Sequence, residues 1–441
     1  MHFKLKICLV KISIYLLCLF LIAPAAQTDE KTAHSKIVVY AREALLHPGE
    51  PPAKNVAVSI VGRRIQAVRV DASLPDEDGE LSIIDLSCCV LLPGLIDVQT
   101  HLTTQRDMPP SSERMVSWSD ADIVLRAMVH AERTLLAGFT TVRNMGSHGD
   151  AMFALRDAIA AGDIDGPRMQ VAGEIIRPTG GDLRPPFRHE VEDLFSVAAV
   201  CDGPADCMRA VRAQAARGAD TIKVMVMPHL RRGAKSQLTL EELGAIAQTA
   251  HVLNRKVTAS AFGAHTISQP LRAGFDAVVH GTFLDETGVR LLLEKEAFYI
   301  PTLAAAQTVK DIAEDPEARV SEAWRQENLA IYHGMVESFR MALSAGAPIA
   351  FGTDAGWRPH GRNAEQLVIM QDLGMSPTAA LETATVNAAK AIGWEDRIGS
   401  IEAGKFADLV AVGESPLDRL EAIMEPVFVM KGGQVHVRPA E

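Results

Sequence analysis

Positive charge is in deficit in this sequence. Its 44 lysines and arginines are outnumbered by 55 aspartates and glutamates, giving a formal charge of −11. Three of those lysines, Lys4, Lys6 and Lys11, fall within the first 25 residues, which hold no acid; without them the remainder stands at −14. So acidic a chain argues against nucleic acid or an anionic membrane as partner. The apolar run at residues 12–22 is short for a membrane span. No internal repeat and no low-complexity tract is visible.

The short apolar run has another reading. Preceded by three lysines and followed by Ala23-Pro24-Ala25, it has the form of a secretory signal, residues 1–25. The mature protein is then expected in the periplasm or outside the cell, with no membrane contact after cleavage. Removing the signal takes away Cys8 and Cys18 and leaves Cys88, Cys89, Cys201 and Cys207. Cys201 and Cys207 bracket the turn-rich segment DGPAD, and either pair in an oxidising compartment or stay as buried thiols. Cys88 and Cys89 lie in an apolar strand, where packing is their expected role.

With 441 residues, 48% of them apolar and 22% charged, the chain suits a soluble α/β barrel carrying a second, smaller domain. Short strands are predicted at residues 36–40, 55–61 and 64–70, with a turn at Gly62. From residue 92 onward strand and helix alternate. Strand-like runs at 92–101, 139–144, 168–173, 220–227, 256–261, 276–280, 298–302 and 348–354 number eight. Amphipathic helices are predicted at 121–137, 151–161, 205–217, 240–253 and 321–345. This is the pattern of a TIM (β/α)8 barrel. Strand-like sequence returns at 407–412 and 427–437. The fold predicted is a barrel over residues 92–394, inserted into a small β-sandwich built from residues 36–91 and 395–441.

The stretch LLPGLIDVQTH, residues 91–101, organises the rest. Its alternation puts Asp97, Gln99 and His101 on one face of an otherwise apolar strand. Such a polar stripe is costly unless it binds something, and barrel active sites lie at the carboxyl ends of strands. Lys223, inside the buried run TIKVMV, is among the rarest of core residues; it either bears a desolvation penalty or is chemically modified. His280 alone reads as a core histidine or a ligand. Asp354, in FGTDAG, reads as a helix N-cap or as a catalytic carboxylate.

The stretch from Pro93 to His101 resembles the PGLID-x-H-x-H signature of the amidohydrolase superfamily, with Gln99 in place of the first histidine. AGFTTVRN, RPTGGD, GTDAGWRPHGRN and IGSIEAGKFADLVAV extend the resemblance over nearly the whole mature chain, towards imidazolonepropionase- and prolidase-like members. The resemblance implies hydrolysis of C–N bonds in cyclic amides, dipeptides or N-acyl amino acids by metal-activated water. It implies metal ligands at His101, Lys223, His280 and Asp354, with Asp354 also the catalytic proton acceptor and Lys223 carboxylated to bridge two ions. Ser260 stands where a fifth-strand histidine is usual, and Asn144 and Asp182 are smaller departures. With Gln99 and Ser260 both degenerate, a full pair of ions is not expected; one divalent ion, zinc by donor type, or none, is. No G-x-S-x-G elbow surrounds Ser260 to make it a nucleophile. Arg184, Arg188, His189, His229, Arg231, Arg232, His360 and Arg362 fall on loops after strands, where arginines suit a substrate carboxylate. The expectation is thus a hydrolase of small carboxylate-bearing amides; the alternative is an inactive barrel that binds a ligand or partner.

Overall fold

The computed structural model of the protein describes residues 36–75, 81–106, 108, 113–114, 117–181, 198–226 and 235–439. The predicted signal at residues 1–25 lies outside them. In chain order the first strands are β1 (Lys36–Ala44), β2 (Ala53–Val61), β3 (Arg64–Arg69) and β4 (Leu81–Pro93). They are followed by β5 (Leu95–Thr100), β6 (Phe139–Asn144), β7 (Arg168–Val171), β8 (Ile175–Arg177), β9 (Ala198–Val200) and β10 (Thr221–Met225). Then come β11 (Lys256–Ala261), β12 (Ala277–His280), β13 (Phe298–Ile300), β14 (Leu409–Val412), β15 (Pro426–Lys431) and β16 (Gln434–Val437). The helices that the argument needs are α1 (Asp120–Leu136), α2 (Ala151–Ala161), α3 (Pro204–Ala216) and α4 (Leu240–Val252). Helices α1 and α4 start at capping boxes, Ser119 with Asp122 and Thr239 with Glu242, which satisfy amides a helix start leaves open.

Both ends of the described chain meet in one sheet, ordered β16-β15-β14-β4-β1-β2-β3. Strand β4 is the seam. Its first part runs parallel to β1, and its last residues pair antiparallel with β14. The expected two-layer sandwich is instead this single continuous sheet. Register shifts at 41/43, 59/60, 411/412 and 429/430 act as bulges, and bulges bend and twist a strand. One apolar face thereby encloses a shared core of Val58, Ile60, Leu86, Leu91, Leu409 and Phe428.

The parallel strands form two further sheets, β5-β6-β7 and β13-β12-β11-β10-β8-β9. The expectation of one regular eight-stranded ring gives way at two places. The predicted third strand is broken at Gly173, whose φ of 71° and close approach to Gln214 (2.5 Å from a Cβ there) leave no room for a side chain. The predicted eighth strand makes only the isolated bridges Tyr299↔Ile349 and Thr100↔Ala355. Its backbone nonetheless serves both sheets: Ala350 N donates to Tyr299 O (3.0 Å), while Val98 N donates to Phe351 O (3.0 Å) and Asp354 N to Gln99 O (2.8 Å). Residues 348–355 therefore lie between β13 and β5.

Cys201 and Cys207 are joined in a disulfide between the end of β9 and α3. Cys89 is buried as expected; Cys88 is exposed instead of packed. Among the described residues no helix is long and apolar enough to cross a membrane.

Candidate functional site

Every residue of β5 is buried. That burial sorts its polar stripe into two roles. Asp97 is a clamp: it accepts from Thr353 Oγ1 (2.6 Å), Asn363 Nδ2 (2.8 Å) and the amides of Gln99 (3.1 Å) and Thr353 (3.2 Å), fastening β5 to residues 353–363. Burial raises its carboxyl to about 6 against the pull of those bonds. Gln99 and His101, at the carboxyl end, meet side chains from other strands.

The Gln99 amide is the hub. Its Oε1 accepts from Lys223 Nζ at 3.0 Å, and its Nε2 donates to Asp354 Oδ1 at 3.0 Å. The same Nε2 lies 3.2 Å from His101 Nε2, which is itself 3.2 Å from Asp354 Oδ1. Gly352 makes the approach possible, since a Cβ there would sit 2.8 Å from the Gln99 Cβ. Beside this triangle, His280 Nδ1 lies 2.9 Å from Thr302 Oγ1, and its Nε2 lies 3.3 Å from Ser260 Oγ. The Phe262 ring stacks on the His280 imidazole with centroids 4.6 Å apart.

Burial and neighbouring charge set the protonation states. Burial pushes Lys223 down to about 7, with Asp354 pulling it up and Arg143 pushing it further down. Burial also lowers His280 to about 4, leaving a neutral imidazole near neutral pH. For Asp354 burial alone would raise the carboxyl; hydrogen bonding and charge from His101, the charge of His280 and the bond from Gln99 outweigh it, holding the group well below the usual carboxylate range. His280 (φ 68°), Thr302 (φ 45°) and Asp354 (φ 59°) all adopt left-handed backbone conformations. Non-glycine residues rarely do so, and such strain concentrates at functional sites.

The structure thus brings together His101, Lys223, His280, Asp354, Gln99 and Ser260. Arg184, Arg188, His189, His229, Arg231 and Arg232 lie outside the described residues. His360 is buried, stacked on His130 at 4.5 Å with Nε2 3.0 Å from Thr104 O. Arg362 is exposed and pairs with Glu365. It lines a cavity of about 380 Å³ with Arg106, Trp357 and Arg358, on the loops that follow β5 and residues 348–355. Four groups in or beside the site escape the sequence reading. Thr302 and Phe262 orient His280 from loops with no motif. Arg106 is a lone charge on a loop. Arg143 carried the same signal as Lys223, a cation inside a buried strand: it is fully buried, donates from Nε to Val98 O (2.8 Å), and its other nitrogens find no partner among the described residues.

The donor set decides which ion could be held. Among the described residues no group of three His, Cys, Asp or Glu side chains could hold a metal. Two ions do not fit, because a second would rest on His280, a serine hydroxyl and Lys223. One ion fits differently. A half-turn of the Gln99 amide places Oε1 where Nε2 stands, so that His101, Asp354 and Gln99 present three acceptors with edges of 3.0, 3.2 and 3.2 Å. A tetrahedral zinc shell with ligands at about 2.0–2.1 Å has edges of about 3.3 Å. The same half-turn aims the Gln99 NH₂ at Lys223, and a neutral amine can accept it.

The chain matches the Amidohydrolase family over residues 90–436. It is 29% identical over 439 aligned residues to the ochratoxinase of Aspergillus niger, covering 94% of this chain and 88% of that protein. It is 24% identical over 368 residues to the imidazolonepropionase of Erwinia tasmaniensis, covering 74% and 79%. Among solved structures, a Xaa-Pro dipeptidase with methionine bound in its active site superposes with a TM-score of 0.82 at 30% identity, over 91% of this chain and all of that one. The fold these neighbours imply is a TIM barrel with an additional β domain.

Proposed function

The chain belongs to the amidohydrolase family, and from that premise we propose an exported hydrolase of C–N bonds in small carboxylate-bearing amides, served by one divalent ion, not two. The observation that carries the reading is the triangle of His101, Asp354 and Gln99 at the strand ends, closed from below by Lys223. The strands carrying it form a barrel closed through residues 348–355, set into the β domain of both chain ends. Export is supported by the signal-like residues 1–25 and by the Cys201–Cys207 disulfide, a bond that persists in oxidising compartments.

His101, Asp354 and the Gln99 oxygen would hold the ion, zinc by donor type, and its contribution would be Lewis acidity that eases deprotonation of water. The chain's own groups do the rest. Asp354 accepts the proton of the attacking water as its oxygen bonds to the carbonyl carbon, then returns that proton to the nitrogen as the C–N bond breaks. Lys223 holds Gln99 in register, unmodified in this arrangement; carboxylation of Lys223 belongs to the two-ion alternative. Neutral His280 lies within the site as a donor to the carbonyl oxygen, its ring fixed by Thr302 and Phe262. Arg106 and Arg362 face the substrate carboxylate at the neighbouring cavity.

The test is a panel of dipeptides, N-acyl amino acids and neutral lactams assayed with zinc-loaded protein and with Asp354→Asn. Turnover of carboxylate-bearing members, reduced at least about a hundredfold by the substitution, supports the proposal. Failure to cleave any member would overturn it in favour of a second reading, a binding protein without chemistry. That reading draws on Gln99 Nε2 already filling the space between His101 and Asp354.

A further inference from the structure

A second concentration of chemistry lies at the other end of the strands. Arg168 opens β7, and around it Arg63, Arg156, Arg397 and Lys431 line one cavity of about 200 Å³ with Phe406 and Trp394. Water occupies about 30 Å³ per molecule in the liquid, so the space holds more than a single solvent. In a chain of net charge −11, five cations at one cavity call for a reason.

Three of the five have carboxylate partners. Arg168 pairs with Asp408 (3.1 Å), Arg156 with Asp220 (2.7 Å) and Asp157 (2.8 Å), and Arg397 with Asp396 (3.6 Å). Lys431 and Arg63 make no ion pair among the described residues. Lys431 is 7% exposed and donates to the carbonyl of Gly166 at 2.6 Å; Arg63 reaches only the carbonyl of Ala160, at 3.3 Å. Arg168 Nε is buried without a partner among the described residues, while its guanidinium lies 3.6 Å from the Phe406 ring centroid. Burial pushes Lys431 down to about 8; the charges of Arg168 and Arg63 lower it further, against the pull of Asp408 and Asp165.

We propose that this cavity binds a small doubly charged oxyanion of the phosphate type. Lys431 and Arg63, the two cations without an ion pair among the described residues, match the charge of a phosphate, about −1.5 to −2 near neutral pH, and guanidinium forks suit its oxygens. The bound anion would tie together the β2–β3 turn, α2, β7 and β15, all away from the strand ends that carry His101 and Lys223.

Isothermal titration of the full chain with sodium phosphate, at ionic strength fixed with sodium chloride, tests this. Saturable binding by the native protein, weakened at least tenfold in Lys431→Met and in Arg63→Gln, is the expected result. At ten times its dissociation constant phosphate should raise the native melting midpoint by about 2 °C, and that rise should fall to about a third or less in both variants. Lys431→Met also leaves the Gly166 carbonyl without its donor, so a lowered midpoint without phosphate is expected of that variant alone; the exposed Arg63→Gln keeps the test valid should Lys431→Met misfold. Tighter binding of phenyl phosphate than of inorganic phosphate assigns the site to an ester, and the reverse order assigns it to the free ion. Absence of saturable binding, or binding that both variants retain, overturns the proposal.

Discussion

Gln99 donates to Asp354 across 3.0 Å, and both side chains are buried on facing backbone segments that share a hydrogen bond from Asp354 N to Gln99 O. An imidazole at position 99 would present a lone pair to an ion there. An amide presents either two hydrogens or an oxygen, according to how it is turned. That choice couples the site to Lys223, which faces the other end of the same amide at 3.0 Å.

Metal content follows from this coupling. Protein purified without added metal should carry at most one tightly held divalent ion per chain by elemental analysis. Gln99→His with Ser260→His together should raise the count towards two, because each completes a different half of the donor set around Lys223. Either change alone should do less. Two tightly bound ions in the unaltered protein would contradict the single-ion arrangement.

Much of this geometry could be read in the sequence because it depended on residue type within strands. His101 and Asp354 announce themselves as polar groups ending apolar runs and Lys223 as a cation inside one, and the bounds of β6, β11 and α2 follow from periodicity. Other features could not be read there, for physical reasons. Phe262 acts from a loop with no periodic signature, and Thr302, read as the end of a strand, lies beyond β13, which stops at Ile300. The break of the third parallel strand depends on Gly173 meeting Gln214, a contact made across 41 positions of chain that no local pattern encodes. The single curled sheet arises from bulges, which are register events between strands. The Lys431 cavity assembles cations from five separate stretches, each an ordinary surface cation when read alone.

The pH dependence of stability should carry the mark of Lys223. Its folded value of about 7 lies below the ordinary 10.5. Between those two values the unfolded chain holds the extra proton, so the fold gains stability as pH rises from 7 towards 10; below about 7 both states are protonated and the penalty is constant. Lys431, at about 8, adds a rise inside the same window. Asp354 acts at the acid end, where its depressed carboxyl contributes stability above about pH 4 that is lost as pH falls further. Denaturant unfolding from pH 6 to 10 should therefore show a shallower slope in Lys223→Met than in the native protein. Equal slopes would mean that the lysine is not held neutral.

The proposed export makes a covalent prediction. Mass spectrometry of protein secreted by its own leader should find a mature N-terminus near Ala26 or Gln27. Under non-reducing conditions it should also find a peptide linked through Cys201 and Cys207, with Cys88 open to alkylation. An intact Met1 end on the exported protein would rule out the signal reading, and two alkylated thiols at 201 and 207 would remove the disulfide that supports it.

The last prediction concerns how much the Lys223–Gln99 contact is worth. A buried hydrogen bond of this kind contributes about 1–3 kcal/mol when one partner is charged, and stranding one partner costs its desolvation as well. Gln99→Leu strands the Lys223 ammonium and also takes a donor from Asp354, so it should destabilise by about 2–4 kcal/mol at pH 6. Lys223→Met strands only a neutral amide oxygen while removing a buried charge, so its cost should be smaller, about 0–2 kcal/mol. The double substitution leaves neither group facing an absent partner. It should therefore cost less than the two single changes added, by about 1 kcal/mol or more, and the deficit should shrink at pH 9 as the native lysine loses its charge. Additive costs at pH 6 would show that the two side chains act independently, and the coupling between Lys223 and the orientation of Gln99 would have to be abandoned.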